Sequence, residues 1–279
     1  MPNTAKPPIL RIEDLAVGYG GEKLLEHISF EVSPGEVVVV LGGSGCGKST
    51  LMKHIIGLYQ PLAGKVWLGG SDFSHASEAD RRALLRRIGV MYQSGALFGS
   101  MTLLENVRLP LEEFTNLPRE ARDLLARMKL DLVGLRDFAD YLPSQISGGM
   151  QKRAAIARAM ALDPDILFLD EPSAGLDPVT SAGLDQLILR LSRNLGMAFL
   201  VVSHELASIF TIADKAIMLD REARGVIASG PPARLRDESP LPQVRQFFLR
   251  EAPKPSNASA AASASLRVAS LAPALSKSP

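Results

Sequence analysis

At 279 residues with 46% apolar side chains, the chain is long enough for one large α/β domain with a buried core and too apolar to be disordered throughout. Its 31 basic and 30 acidic side chains leave a net charge of +1, which argues against a general nucleic-acid binder. A single cysteine, Cys46, excludes an internal disulfide and suits a reducing cytoplasm.

The N-terminal MPNTAKPPILRIED lacks the apolar core of a signal peptide, and no apolar run approaches the ~18 residues of a membrane span. A protein soluble by itself is expected. Ile9 to Val17 and Leu24 to Val32 read as strands joined by a glycine-rich turn, Gly18–Gly21. In the second, Ile28, Phe30 and Val32 alternate with Ser29 and Glu31, so one face is buried. Tyr19, in the turn, is either an aromatic able to stack on an adenine ring or an ordinary turn tyrosine.

Ser33-Pro34-Gly35-Glu36 turns the chain into Val37–Leu51, VVVVLGGSGCGKSTL. The continuous apolar run suits a strand buried on both faces of a parallel sheet. Gly42, Gly43, Ser44, Gly45, Cys46 and Gly47 follow, and then Lys48, Ser49 and Thr50 open a helix expected to run to about Leu58. A strand, a glycine loop and a helix are the context in which G-x-x-x-x-G-K-[ST] cradles a polyphosphate. Backbone N–H groups turn inward and the positive helix end faces the same anion. Lys48 then reaches the β- and γ-phosphates, and the Ser49 hydroxyl is a ligand for Mg²⁺.

Gly57 and Pro61 end that helix, and Lys65–Leu68 is a short strand. Ser77 to Asp80 has the form of a capping box; Arg81, Arg82, Arg86 and Arg87 on the helix it opens read as a solvated face. Strand Ile88–Tyr92 ends at Gln93. From Ser94 to about Leu162 the texture is helical. There Ala121, Leu124, Leu125, Met128 and Leu132 make a stripe that is expected to pack in the core. Pro143 and Ser144 break the pattern, and Ser147 is a good N-cap for the next helix. Gly148 and Gly149 in its first turn are costly unless something approaches closely, and a phosphate is the expected visitor.

Strand Ile166–Leu169 runs straight into Asp170 and Glu171, adjacent carboxylates at a strand's carboxyl end, where open α/β sheets place ligands. The loop Ser173–Pro178 leads to a helix reaching about Leu195, and the buried strand Ala198–Ser203 ends at His204. Ala216–Leu219 and Val226–Ala228 read as closing strands and Gln243–Arg250 as a helix. The Ala/Ser/Pro-rich stretch beyond, 251–279, is expected to be a disordered tail.

In this order the motifs resemble the ATP-binding-cassette ATPases over about Ile9 to Phe248. Tyr19 falls at the family's adenine-stacking aromatic, GGSGCGKST at its Walker A, Gln93 at its glutamine loop, and ISGGM (Ile146–Met150) at its signature. ILFLDE (Ile166–Glu171) matches Walker B with its following glutamate, SAGLD (Ser173–Asp177) the D-loop, and His204 the switch histidine. The signature departs from the common LSGGQ at its ends, Ile146 and Met150, while its Ser-Gly-Gly centre is intact. The resemblance implies an α/β cassette over 9–250: a RecA-like parallel sheet core, an antiparallel β subdomain and an α-helical subdomain inserted at about 94–162. It implies ATP hydrolysis with Mg²⁺ held by Ser49, Asp170 and Gln93. Glu171 polarises the attacking water, His204 contacts the γ-phosphate or orients that water, and Gln93 senses phosphate and metal. Ser147, Gly148, Gly149 and Asp177 imply a head-to-tail pair of chains sharing two ATP sites.

Gly89–Val107, Ser203–Asp220 and Pro240–Glu251, segments largely without catalytic duty, are similar to the ATPases of MCE-linked (Mla-type) lipid transporters. That implies a multi-span permease, an MCE-domain substrate-binding protein, often a STAS-domain partner, and a position on the cytoplasmic face of the bacterial inner membrane. Leu97, Phe98 and Met101 lie where the family docks its permease; for Leu97 burial in the helical subdomain is an equal alternative. The rivals are an ABC ATPase that gates or regulates another envelope protein, a soluble ABC ATPase of DNA repair or translation, and a small-molecule P-loop kinase. The last has no use for ISGGM, SAGLD or His204.

Overall fold

A computed structural model describes residues 7–250, so the tail expected over 251–279 lies outside the described residues. The strands are β1 (Leu10–Tyr19), β2 (Glu22–Val32), β3 (Val37–Gly42), β4 (Ala63–Leu68), β5 (Ser71–Asp72), β6 (Ile88–Met91), β7 (Ile166–Asp170), β8 (Ala198–Val202), β9 (Lys215–Asp220) and β10 (Gly225–Gly230). They form an antiparallel sheet of order β2-β1-β4-β5 and a six-stranded sheet of order β10-β9-β3-β8-β7-β6. The larger sheet is parallel from β9 to β6, and β10 alone runs antiparallel on β9.

The continuous apolar run of β3 is explained by its place between β8 and β9. Val37, Val39 and Leu41 face one hydrophobic cluster, shared with the helices of the middle of the chain. Val38 and Val40 face another, shared with β1 and β2. Both faces of the strand are therefore dry.

The first hairpin is tighter than the expected four-residue turn, Gly18–Gly21. Gly18 and Tyr19 stay in the strand, paired with Lys23 and Glu22, and only Gly20 and Gly21 turn, at φ 61° and 86°. Gly18 serves a different need: a Cβ there would lie 1.8 Å from the Glu22 carbonyl oxygen.

The helices are α1 (Lys48–Ile55), α2 (Glu78–Leu85), α3 (Leu103–Phe114), α4 (Arg119–Leu132), α5 (Gly148–Ala159), α6 (Pro178–Leu195), α7 (Leu206–Ile212), α8 (Pro232–Glu238) and α9 (Pro242–Leu249). Helix α1 stops before Leu58 because Gly57 adopts φ 78°. Ser77 caps α2, accepting from the Asp80 N–H, and its hydroxyl donates to the Asp80 carboxylate.

The apolar stripe on α4 does not pack as expected. Leu124, Met128 and Leu132 are exposed, and the inward side carries Ala126, Lys129 and Leu130. Ion pairs set the rotation of the helix. Arg108 of α3, nearly buried, meets Asp123 at 2.7 Å, and Lys129 meets Asp163. Periodicity counts such charged residues as solvent-facing, so it turns the helix the wrong way. Of the expected stripe, Leu125 packs against the core cluster.

Candidate active site

The phosphate loop joins β3 to α1, and two of its glycines are sterically required. Gly42 has φ 148°, and a Cβ there would lie 2.4 Å from the Leu219 carbonyl oxygen. Gly47, at φ 99°, is the N-cap of α1 and offers no side-chain acceptor, so the first N–H groups of the helix stay available to an anion. Cys46 turns its thiol into the core. Lys48 Nζ arches back over the loop, donating to the carbonyls of Gly42 at 2.9 Å and Gly43 at 3.0 Å.

The carboxylates stand opposite. The Ser49 hydroxyl donates to Asp170 Oδ1 at 3.4 Å. Burial, and then the neighbouring Glu171 charge, push the Asp170 carboxyl above its usual range, opposed by Ser49, Lys53 and Lys48. Glu171 leaves β7 in a left-handed conformation, φ 48°, with its N–H donating to the Val202 carbonyl at 2.8 Å. That bend aims its carboxylate at His204 Nδ1, 2.7 Å away at the end of β8. Gln93 follows β6, and its carbonyl accepts from Lys152 Nζ of α5. Burial lowers the Lys152 pKa, while the charges of Asp170 and Glu171 work the other way.

Gly42, Gly43, Ser44, Gly45, Lys48, Ser49, Gln93, Glu171 and His204 thus line one cleft of about 610 Å³. Asp170 is not among the lining side chains and is joined to the cleft through its hydrogen bond to Ser49. Phe247 and Arg250, from the end of α9, and Leu206 complete the wall. Sequence reasoning assigned none of these three to the site, and it also missed Lys152. Phe247 read as the apolar face of a helix, and contact across the fold carries no local signal. Lys152, one turn into the helix that begins with the two glycines, was the more legible of the two cases.

The other expected residues sit elsewhere. Thr50, on α1, hydrogen-bonds the Tyr19 hydroxyl at 3.2 Å. Ser147 caps α5, accepting from the Met150 N–H at 3.3 Å. Asp177 caps α6, accepting from the Thr180 hydroxyl and from the N–H groups of Val179 and Thr180 at 3.0 and 3.1 Å; the Thr180 hydroxyl first, and then the backbone bonds, hold its carboxyl below the usual range. A Cβ added at Gly148 would meet Leu176 Cδ2 at 3.9 Å, an ordinary contact, whereas one at Gly149 would lie 2.3 Å from Thr180 Cγ2 on α6, so packing within the chain favours glycine there.

A family model described as ABC transporter matches residues 25–174. This chain belongs to the ABC transporter family. As a cassette of that family it is an ATPase, binding ATP and hydrolysing it to ADP and phosphate. The cassette is 36% identical over 247 residues to the intermembrane phospholipid transport system ATP-binding protein MlaF of Haemophilus influenzae, covering 88% of this chain and 92% of that protein. It is 39% identical over 240 residues to the probable ribonucleotide transport ATP-binding protein mkl of Mycobacterium leprae, covering 86% of this chain and 68% of that protein. Among solved structures it resembles the dimeric post-hydrolysis state of the ATP-binding cassette MJ0796 bound to ADP and Pi. There the TM-score is 0.71 at 30% identity, over 80% of this chain and 98% of that one. The α/β architecture is therefore the ABC cassette fold. Among the described residues no helix is long and apolar enough to cross a membrane.

Proposed function

We propose that this cassette energises a membrane phospholipid transporter of the MCE-linked type, hydrolysing ATP at sites shared by two copies of the chain. The likeness to the phospholipid-transport relative carries the reading. It spans 92% of that protein, far more than the phosphate motifs alone could produce. The cassette comprises residues 9–250, with 94–162 as the inserted helical subdomain.

In the cleft, Lys48 and the N–H groups of Gly43 to Gly47 hold the β- and γ-phosphates, and Tyr19 stacks on the adenine. The Ser49 hydroxyl and the Asp170 carboxylate, 3.4 Å apart, form with the Gln93 side chain an all-oxygen donor set that suits Mg²⁺. Mg²⁺ held there supplies neutralisation of phosphate charge. Glu171 polarises the attacking water, and the His204 imidazole, bonded to it at 2.7 Å, fixes the carboxylate and faces the γ-phosphate. Ser147, Gly148, Gly149 and Asp177 serve the partner copy's nucleotide. They lie outside the cleft of their own chain, as a head-to-tail dimer requires.

The membrane side of the reading rests on the loop before α3. Phe98 is 51% exposed there, while Leu97 packs against the core. The buried Asn106 amide fixes this loop, accepting from the Phe98 N–H at 2.8 Å and donating to the carbonyls of Phe98, Met101 and Thr102. A multi-span permease docks on it, placing the cassette on the cytoplasmic face of the inner membrane, with an MCE-domain protein and a STAS-domain protein in the same assembly. Phe98→Asp tests the joint. The variant keeps fold, ATP binding and basal hydrolysis but loses permease binding, because an unpaired carboxylate is costly in an apolar joint. Permease binding at parental affinity would remove Phe98 from the interface.

A further inference from the structure

Tyr19 is not a solitary aromatic. Its ring centroid lies 5.3 Å from that of Tyr59 at 87° and 6.1 Å from that of His54 at 61°, and Tyr59 and His54 lie 5.5 Å apart. The rings form a closed cluster whose inner member, His54, is 1% exposed, while Tyr19 and Tyr59 remain 48% and 44% exposed. His54 Nδ1 lies 2.8 Å from the Thr50 carbonyl oxygen and donates to it. The other nitrogen, Nε2, is buried and lacks a hydrogen-bond partner among the described residues. The imidazole is held by its ring contacts and by one bond to α1. The Tyr19 hydroxyl reaches Thr50 Oγ1, so the outer ring is tied to the same helix. Tyr59 follows the left-handed Gly57 that ends α1, and its N–H bonds the Lys53 carbonyl at 3.4 Å. Every anchor of the cluster apart from the β1 backbone therefore belongs to the helix that opens with the phosphate-binding Lys48 and Ser49.

We infer that Tyr59, with His54, is a positioning residue for the nucleobase: it fixes the Tyr19 ring at a set distance from the phosphates, so that the site grips purine nucleotides more tightly than pyrimidine ones. The inference rests on the reading of Tyr19 as the stacking residue. Stacking energy scales with the overlapped ring area and needs a platform that does not swing, and an edge-to-face neighbour supplies that restraint. An exposed tyrosine held only by its hydroxyl would lose rotamer freedom on every binding event. No charged side chain belongs to the ring cluster, so the preference it imposes is one of ring size.

Titration calorimetry without Mg²⁺, so that no turnover occurs, tests this with ATP, CTP and inorganic tripolyphosphate on the parent, Tyr19→Ala, Tyr59→Ala and Tyr59→Phe. Tyr19→Ala should weaken ATP on the order of tenfold. Tyr59→Ala should weaken it roughly threefold to tenfold, weaken CTP less, and leave tripolyphosphate unchanged, with Tyr59→Phe restoring parental values. Parental ATP affinity in Tyr59→Ala alongside a weakened Tyr19→Ala would overturn the role of Tyr59 and leave that of Tyr19 standing. An equal loss for ATP and tripolyphosphate in Tyr59→Ala would show damage to α1 and overturn it too. Parental affinity in Tyr19→Ala would remove the stacking reading itself, and the inference with it.

Discussion

Glu171 pairs two uncommon features, a left-handed backbone at φ 48° and a carboxylate locked to His204 at 2.7 Å. A non-glycine residue there costs on the order of 1 kcal/mol or more, and it persists because the Val202 carbonyl holds its N–H. Glu171→Gln keeps the shape and the bond to His204 but removes the base. ATP should bind as before while single-turnover hydrolysis falls roughly 10²–10⁴-fold. Lys48→Ala should instead weaken ATP binding itself, since the ammonium is the cation nearest the loop carbonyls. Turnover at the parental rate in Glu171→Gln would strip Glu171 of its role. The loop glycines separate in the same way. Gly42→Ala drives a Cβ to 2.4 Å from a backbone oxygen at φ 148°, whereas Gly43→Ala meets nothing within 4 Å. Thermal melts should show a clear loss for the first and little change for the second.

Between elements, one buried carboxyl ties the helix after the SAGLD loop to the helix after His204. Asp185 of α6 is 5% exposed. Burial pushes its pKa up to about 6, helped by the Glu205 charge and opposed by a hydrogen bond to Ser208 of α7. Ser181 bridges the same helices, donating to Glu205 Oε2 at 3.3 Å and lying 3.5 Å from the Ser208 hydroxyl. The folded pKa lies above the unfolded one, so the favourable contribution is complete below about pH 4 and is lost as pH rises through about 6. Asp185→Asn should therefore be more stable than the parent at pH 7 by about 3 kcal/mol, with the gap closing towards pH 4. Denaturant midpoints across that range measure it, and a gap independent of pH would contradict the assignment. Elements of this kind were only partly legible in the sequence. The core strands were readable because both faces of β3, β7 and β8 are dry, leaving an apolar run with no polar alternation. The rotation of α4 was not readable, because Arg108–Asp123 and Lys129–Asp163 place charges inward through partners far along the chain. Gly149 reads as a phosphate glycine, and a second demand on it was not readable: a Cβ there would lie 2.3 Å from Thr180 Cγ2 of its own chain. Phe247 and Arg250 reach the cleft because the last helix folds back against α8 and, through the Phe210–Phe248 ring pair, against α7.

For the whole molecule, two copies that share their ATP sites make one chain half a catalyst. Hydrolysis by the isolated cassette should rise faster than linearly with its concentration, and Ser147→Arg should abolish that rise while ATP still binds beside Lys48. Ser147 also caps α5, so a melting curve must accompany the assay; the lost cap accounts for ~1 kcal/mol and no more. Strictly linear activity from a species shown to be monomeric by light scattering would rule out the shared site. The claim that joins ATP to the membrane is tested most directly by reconstituting the intact complex in vesicles and following a fluorescent phospholipid. Parent complexes should transfer it only with ATP and Mg²⁺, complexes carrying Glu171→Gln should stop, and a ribonucleotide cargo should not move. Transfer at the same rate in Glu171→Gln, or ATP hydrolysis by the parent complex with no lipid moved, would contradict the account.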